Sequence, residues 1–251
     1  TEDYVYVAWV SRNGVIGVAQ YNKSSETWNV NSSLAQTGDD DDHGSPALHI
    51  QDDGDIVINY AEHNSNALYQ KTSQNPHDIS SWSTEKTIDC NSSDCAYTHF
   101  AKLDDSDTLF LFYRSDVDSD GWKEEYYRTS DDDGDTYSSA TELIDGEDSG
   151  YSAYVKVGTD GESRIDIGYT NAQGVQDEGK LNVCHSYYDD STGNWYDSSG
   201  NQLSLPMTDD TMTCPYTRSA DGEDPWIWDV ATNDGNPVLA FASDIDTSIH
   251  K

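Results

Sequence analysis

Basic side chains are scarce in this sequence. Of its 251 residues only 13 are Lys or Arg, against 48 Asp or Glu, so the formal net charge is −35. Nucleic acid phosphates are bound by basic patches, and this composition therefore excludes a nucleic acid partner. Such a charge destabilises a compact chain by self-repulsion unless salt screens it, and at roughly 1 M salt the Debye length is about 3 Å. We expect a halophilic protein that works in a high-salt environment.

Long apolar runs are also missing. No stretch approaches the roughly 20 apolar residues that a membrane-spanning helix needs, so we expect no membrane span. No secretory signal is present either, but a mature secreted chain would have lost it. Disorder fits the composition poorly, because 11% of the residues are aromatic, with seven Trp and seventeen Tyr. The expectation is a folded protein.

There are four cysteines in the chain, and their spacing leaves two interpretations open. Cys90 and Cys95 enclose a short polar loop, CNSSDC, which is compatible with a disulfide in an oxidising compartment, and Cys184 and Cys214 could form a second one. Alternatively, Cys184, His185 and Cys214 could hold a structural zinc ion, although the CxxC spacing typical of such sites is missing. Disulfides or free thiols are the favoured interpretation.

Amphipathic helical patterns are absent, and short strand-like runs separated by Asp, Gly, Asn and Ser turns recur instead. The order strand, turn, strand, turn, strand repeats about every 50 residues, beginning with SPALHIQDDGDIVINYAEHNSNALYQKTS. Such a period is typical of propeller blades. We predict an all-β fold, a β-propeller of four-stranded antiparallel blades forming a single domain over residues 1–251. A β-sandwich is the alternative.

The two ends of the sequence set the expected number of blades. The first strands match the later part of a blade, and the last two strands match the beginning of another. We count four to five blades, so either the ring is unusually small or the chain lacks one or two C-terminal blades, and we favour the second interpretation.

Residues 129–139, TSDDDGDTYSS, have the Ser/Thr-x-Asp-x-Gly-x-Thr-Trp/Tyr form of an Asp-box. This motif predicts a hairpin turn between the outer strands of a blade, stabilised by the Asp side chain and the glycine. Sialidases carry the same motif, but they need three converging arginines and an FRIP-like segment. The sequence has five arginines in all and no such segment, which argues against sialidase activity.

A resemblance covers nearly the whole chain. The segments DDHGSPALHI, INYAEHN, NPHDISSW, LFLFYR, SAYVKV and WIWDVA occur in this order, and the sequence resembles BNR-repeat proteins that include the ulvan lyases. The resemblance implies a seven-bladed propeller, of which this chain would cover about five blades. It also implies cleavage of an acidic, uronate-containing polysaccharide by β-elimination.

The resemblance also implies a site. It places two histidines at strand ends of one blade, a tyrosine in the next blade, and an arginine and a second tyrosine beyond it. These residues are His43, His63, Tyr97, Arg114 and Tyr154. Arg114 would neutralise the uronate carboxylate, and Tyr97 and His43 would share the roles of base and acid in an order left open. The other two would position the sugar.

Several other residues compete for roles or add to them. Lys156 would join Arg114 in making the cleft locally positive and would contact the substrate. Near alternatives to the two tyrosines are His99 and Tyr113 for Tyr97, and Tyr151 for Tyr154.

One acidic segment resembles the start of a calcium loop. Asp116, Asp118 and Asp120 precede Gly121, but the twelfth position of such a loop, where a bidentate Glu is expected, is Tyr127. Calcium is therefore a weaker expectation.

The favoured function is a secreted polysaccharide lyase. A non-catalytic carbohydrate-binding or surface-assembly propeller is the alternative. A glycoside hydrolase would need two positioned carboxylates, which so acidic a sequence does not exclude.

Overall fold

In the computed structural model, the described residues are 3–38, 42–63, 65–92, 94–117, 121–146, 151–173, 182–218, 225–233 and 235–243. They form antiparallel β-sheets and one 3₁₀ turn, Asp42–Gly44. No helix within these ranges is long and apolar enough to cross a membrane.

The described strands form five sheets, numbered here in chain order. Sheet 1 contains β1 (Tyr4–Val10), β2 (Val15–Asn22) and β3 (Thr27–Gln36). Sheet 2 contains β4 (Ala47–Ile50), β5 (Ile56–Ala61), β6 (Ala67–Thr72) and β7 (Lys86–Asp89). Sheet 3 contains β8 (Ala96–Leu103), β9 (Thr108–Ser115), β10 (Glu124–Ser130) and β11 (Thr141–Ile144).

The last two sheets depart from this regular size. Sheet 4 contains β12 (Tyr151–Thr159), β13 (Arg164–Gln173), β14 (Asn182–Asp189) and β15 (Asn194–Asp197), and β16 (Thr213–Thr217) also pairs with β14. Sheet 5 contains β17 (Trp226–Asn233) and β18 (Asn236–Ala242). Within sheets 1 to 3 each strand pairs with the next along the chain, and sheets 2 and 3 are the four-stranded antiparallel units expected from the sequence.

The sheets pack face to face in chain order, so that each interface is a separate layer of apolar side chains. Sheets 1 and 2 enclose a cluster that includes Ile16, Val18, Ile56, Ile58 and Tyr60. Sheets 2 and 3 enclose Leu68, Leu111 and Tyr113, while sheets 3 and 4 enclose Phe110, Phe112, Ile167, Tyr169 and Trp195. This arrangement is propeller-like. It differs from a β-sandwich, which has two sheets around one core.

Sheets 4 and 5 approach each other closely at Gly158. A Cβ atom at this position would lie 2.6 Å from the carbonyl oxygen of Val230, so a larger residue would push β12 and β17 apart. Glycine is therefore required by the packing of the two strands.

The outward faces of the first and last sheets carry apolar side chains. Val7 and Val30 on sheet 1 are 47% and 61% exposed, and Trp228 and Val238 on sheet 5 are 52% and 57% exposed. The opposite faces of these two sheets pack against sheets 2 and 4. Large apolar patches of this kind typically mark surfaces that another protein segment covers.

The Asp-box forms the turn between β10 and β11, as the sequence predicts. Asp132 is its organising residue, because its carboxylate accepts hydrogen bonds from Ser130 Oγ at 2.8 Å, from the backbone N–H of Thr136 at 2.7 Å and from Thr136 Oγ1 at 2.5 Å. The turn also contacts sheet 2, since Gln70 donates to the carbonyl oxygen of Gly134 and accepts from the Tyr137 hydroxyl.

Asp133 of the same turn joins three elements at this end of the sheets. Its carboxylate lies 2.6 Å from His49 Nε2, accepts the backbone N–H of Asp52 at 2.7 Å and lies 3.4 Å from Lys102 Nζ. Sheets 2 and 3 are therefore linked by polar contacts at the end where the β4–β5 and β8–β9 turns lie.

Both disulfides that the spacing allowed are present. Cys90 is bonded to Cys95 and Cys184 to Cys214. The second bond joins β14 to β16, and in this form its sulfurs are not thiolates that could bind zinc. His185 is instead hydrogen-bonded to Ser198 and Asp166. The structure thus favours the disulfide over the zinc alternative.

We expect Asp132→Ala to lower the free energy of unfolding by about 1 kcal/mol, because three hydrogen-bond donors of the turn lose their acceptor. Thermal or urea unfolding followed by circular dichroism measures this effect. Asp131→Ala is the matched control, since it removes the same charge from the exposed neighbouring position. Equal stability of the two variants would contradict the role given to Asp132.

Candidate active site

The residues expected in the site lie at one end of sheets 2, 3 and 4. His43 is in the 3₁₀ turn before β4, and His63 follows the end of β5. Tyr97 and Tyr154 are near the beginnings of β8 and β12, and Arg114 is near the end of β9, where it pairs with Ala96. In an antiparallel hairpin the beginning of one strand lies beside the end of the next, so these positions share one end of the stacked sheets.

The aromatic rings of these residues form a continuous row. The ring centroids of His43 and His63 are 3.8 Å apart, with an angle of 6° between the ring planes. His43 lies 4.7 Å from Tyr97, which lies 6.0 Å from Tyr154. The structure thus brings the two histidines of sheet 2 together with one tyrosine from each of sheets 3 and 4.

Arg114 contacts the rings of both tyrosines. Its guanidinium carbon is 4.6 Å from the ring centroid of Tyr97 and 4.7 Å from that of Tyr154, which is within cation–π distance of each ring. The residue is only 4% exposed. Within the described part of the chain, its Nε and Nη1 atoms have no hydrogen-bond partner. A buried guanidinium with unused donors is suited to binding a carboxylate.

The backbone of Tyr97 is strained. Its φ angle is +55°, in the left-handed region that residues other than glycine rarely adopt, and the register of β8 against β9 shifts between Ala96 and His99. Such a conformation costs roughly 1–3 kcal/mol and persists where surrounding structure enforces it. Here the bulge brings the phenol ring of Tyr97 into contact with both His43 and Arg114.

A polar layer lies behind Arg114, fully buried at Glu125 and partly exposed at His99 and Lys156. Glu125 of β10 pairs directly with Arg114 and is 1% exposed. Burial raises the pKa of Glu125 to about 8, although the positive charges of Arg114 and Lys156 act to lower it. Burial lowers the pKa of His99 to about 4, and the charge of Lys156 lowers it further. At neutral pH the imidazole of His99 is therefore uncharged, and the carboxyl group of Glu125 is mostly protonated.

Sequence reasoning missed two residues of this region. Trp226 at the start of β17 extends the ring row into sheet 5, with its ring centroid 4.7 Å from that of Tyr154. Its segment, WIWDVA, contributes to the family resemblance, but no site residue is predicted in it. Glu125 was not noticed, because nothing distinguishes it from the other acidic residues until the register of β9 and β10 is known.

The other candidates from the sequence are Lys156, His99, Tyr113 and Tyr151. Lys156 contributes its charge to the polar layer behind Arg114. His99 belongs to that layer too, and Tyr113 is fully buried between sheets 2 and 3. Tyr151 begins β12, and its side chain lies outside the described structure.

The calcium segment is described only in part. Asp116 accepts a hydrogen bond from Lys123 Nζ at 2.9 Å, and Lys123 also pairs with Asp94. Asp118 and Asp120 lie outside the described residues. Within the described ranges, no group of three or more His, Cys, Asp or Glu side chains could hold a metal ion.

Comparison with known proteins identifies the family. The model of the BNR repeat-containing family matches residues 4–248. The chain belongs to this family. Among curated members with similar sequences, the ulvan lyase of Nonlabens ulvanivorans is 27% identical over 265 residues, which cover 89% of this chain and 54% of that protein. Ulvan Lyase-PL25 of Pseudoalteromonas sp. (strain PLSV) is 26% identical over 270 residues, covering 91% and 53%.

Solved structures show the same fold. The structure of a PL25 ulvan lyase bound to -[GlcA(1-4)Rha3S]- superposes with a TM-score of 0.79 at 20% identity, covering 98% of this chain and 63% of that one. The native arabinanase Arb43A of Bacillus subtilis superposes with a TM-score of 0.54 at 13% identity, covering 98% and 87%. The chain spans about half the length of the curated BNR relatives it matches.

We expect NMR titration of the His99 ring to give a midpoint near 4, well below the ordinary value of 6.5, because burial and Lys156 both disfavour the imidazolium ion. The signal is assigned by its loss in His99→Gln. His99 binds its proton at a higher pH in the unfolded chain than in the folded one. The contribution of His99 to the free energy of unfolding therefore decreases as the pH drops from 6.5 towards 4. A midpoint of 6 or above would contradict burial of the ring.

Proposed function

We propose that this protein is a polysaccharide lyase that cleaves a uronate-containing polysaccharide, such as ulvan, by β-elimination. The observation that supports this most directly is the buried Arg114 guanidinium, which has two unused donor atoms and contacts the rings of Tyr97 and Tyr154. The similarity to ulvan lyases points to the same chemistry.

The proposed reaction removes the C5 proton of the uronate and breaks the bond between C4 and the glycosidic oxygen. Arg114 pairs with the carboxylate and stabilises the negative charge that develops when the C5 proton leaves. The C5–H electron pair forms the C4–C5 double bond, and the departing oxygen takes up a proton. Tyr97 and His43 are the proposed base and acid, since their rings are in contact at 4.7 Å. Either assignment balances the reaction.

His63 and Tyr154 are the proposed positioning residues for the sugar. His63 stacks on His43 and fixes the plane of that ring, while the ring of Tyr154 contacts the guanidinium of Arg114. Lys156 adds positive charge behind the site. Local positive charge is needed here, because a protein of net charge −35 repels a polyanion over long range. High salt would screen that repulsion and leave the contacts within the site largely intact.

The setting that we propose follows from the same chemistry. The protein acts on its polymer outside the cell or at the cell surface, in a high-salt environment, and the five sheets are blades of one propeller domain of the seven-bladed family type. Calcium at Asp116 and its neighbours, and zinc at Cys184, His185 and Cys214 in the reduced chain, remain lower-ranked proposals.

We expect the protein to release products that absorb ultraviolet light when it is incubated with ulvan, glucuronan or alginate in high salt, because β-elimination leaves a C4–C5 double bond. Arg114→Ala should lower kcat/KM by about 100-fold or more. Arg12→Ala, an exposed substitution in the β1–β2 turn, should leave it unchanged. Carbohydrate binding without any ultraviolet signal from these polymers would instead support the non-catalytic alternative.

We expect Tyr97→Phe to lower kcat by about 100-fold or more, while binding of the polysaccharide is retained. The substitution removes only the hydroxyl and keeps the ring that contacts His43 and Arg114. Tyr113→Phe removes a hydroxyl from the tyrosine that is buried between sheets 2 and 3, and it serves as the control. Full activity of Tyr97→Phe would remove this hydroxyl from the mechanism and leave His43 as the remaining proton carrier.

A further inference from the structure

Glu125 and Arg114 are placed opposite each other by the pairing of β9 and β10. Residues that pair across an antiparallel ladder point to the same face, so both side chains are directed towards sheet 4, as are Phe112 and Tyr127 two residues further along. Glu125 is 1% exposed and Arg114 is 4% exposed. The candidate carboxylate-binding group thus has an acidic residue directly behind it, out of contact with solvent.

The two side chains form neither a salt bridge nor a hydrogen bond with each other in the described structure. Of the atoms that the structure describes, none is a hydrogen-bond partner for Glu125 Oε1, and the same holds for Arg114 Nε and Nη1. A structural ion pair in the interior is normally stable only when its donors and acceptors are used. Unused groups on both side chains indicate that Arg114 is available to a second carboxyl group, one that comes from outside.

Two positive charges act on Glu125, and Glu125 in turn acts on the buried phenol of Tyr113, whose pKa is raised by burial so that it stays neutral. Arg114 faces it from β9, Lys156 acts on it from β12, and the paired residue on β11 is the apolar Ile144. If Glu125 is ionised, it offsets one of these positive charges next to the substrate. If it is protonated, both charges attract the substrate. Because the group is buried, salt screens this effect only weakly.

We propose that Glu125 is a positioning residue that, by gaining or losing its proton, sets how strongly Arg114 attracts the carboxylate of the substrate. This inference rests on the proposed function only in so far as Arg114 binds a carboxylate. Burial raises the pKa of Glu125 to about 8, so the neutral form that favours binding predominates below this pH and is lost above it. Uronate affinity should therefore fall as the pH rises through this range.

Linkage adds a second consequence. A substrate carboxylate at Arg114 is a negative charge close to Glu125, and it disfavours ionisation of Glu125. Bound uronate should raise the pKa of Glu125. Binding should therefore be accompanied by proton uptake at pH values between the pKa of Glu125 in the free protein and its pKa in the complex. This coupling is reciprocal. The pH dependence of uronate binding and the shift in the pKa of Glu125 on binding must therefore agree.

The test uses sodium glucuronate, which has the carboxylate but no glycosidic bond at C4 to cleave. Its dissociation constant is measured by NMR titration at pH 6.5 and pH 9.5 in high salt. For the wild-type protein we expect the constant to rise about tenfold between these values, the size of effect that one charge exerts over several ångströms inside a protein. In Glu125→Gln, which mimics the neutral acid, the constant should stay at its low value at both pH values.

Glu124→Gln is the matched control, because Glu124 is the preceding residue of β10, is 4% exposed and points to the opposite face. It should show the wild-type rise. An unchanged rise in Glu125→Gln would overturn the proposal, since another group would then be titrating. A wild-type constant that does not change with pH would also overturn it.

A second measurement needs no variant and covers the case in which Glu125→Gln does not fold. Carboxyl signals of the wild-type protein labelled with ¹³C-glutamate are titrated with and without glucuronate, and the midpoint of the buried carboxyl should rise on binding. A midpoint that glucuronate leaves unchanged would refute the coupling. Failure of glucuronate to bind at any pH would count against both proposals, whereas pH-dependent binding without elimination would overturn the lyase function alone.

Discussion

The candidate site depends on one cluster, the guanidinium of Arg114 in contact with the rings of Tyr97 and Tyr154. Removing a charge from water is costly, and here two aromatic rings offset part of that cost while Nε and Nη1 of the guanidinium remain unused. The cluster also joins sheets 3 and 4 at their shared end, since Arg114 and Tyr97 belong to one and Tyr154 to the other. Function and packing therefore use the same side chains.

The polar contacts at the other end of the sheets serve a different purpose. Around Asp133 the donors and acceptors are matched, with His49, Lys102 and the backbone of Asp52 all in contact with one carboxylate. Around Arg114 and Glu125 they are not matched. Buried polar groups that are fully satisfied fix a structure, whereas unsatisfied ones are typical of sites that receive a ligand. The cluster around Asp133 and the cluster around Arg114 differ in this respect.

Much of the fold could be predicted from the sequence, because the turns carry local signals. The Asp-box turn, the antiparallel strand order of sheets 2 and 3 and the Cys90–Cys95 bond involve residues close together in the chain. The five site residues followed from their resemblance to family segments, and the structure places them together. Glu125 could not be found this way, because its burial depends on which strand lies beside β10. Trp226 was missed because an aromatic residue in a strand is usually part of the core.

The left-handed backbone at Tyr97 has a consequence for how this protein could change. Glycine or asparagine would relieve the local strain, and relief of strain raises the stability of a fold. The same substitution would remove the ring that connects His43 to Arg114. Selection for thermal stability alone would therefore favour loss of the site, a trade-off that is common where activity depends on a strained residue. Retention of tyrosine at this position would then be a sign that the site, and not the scaffold, is under selection.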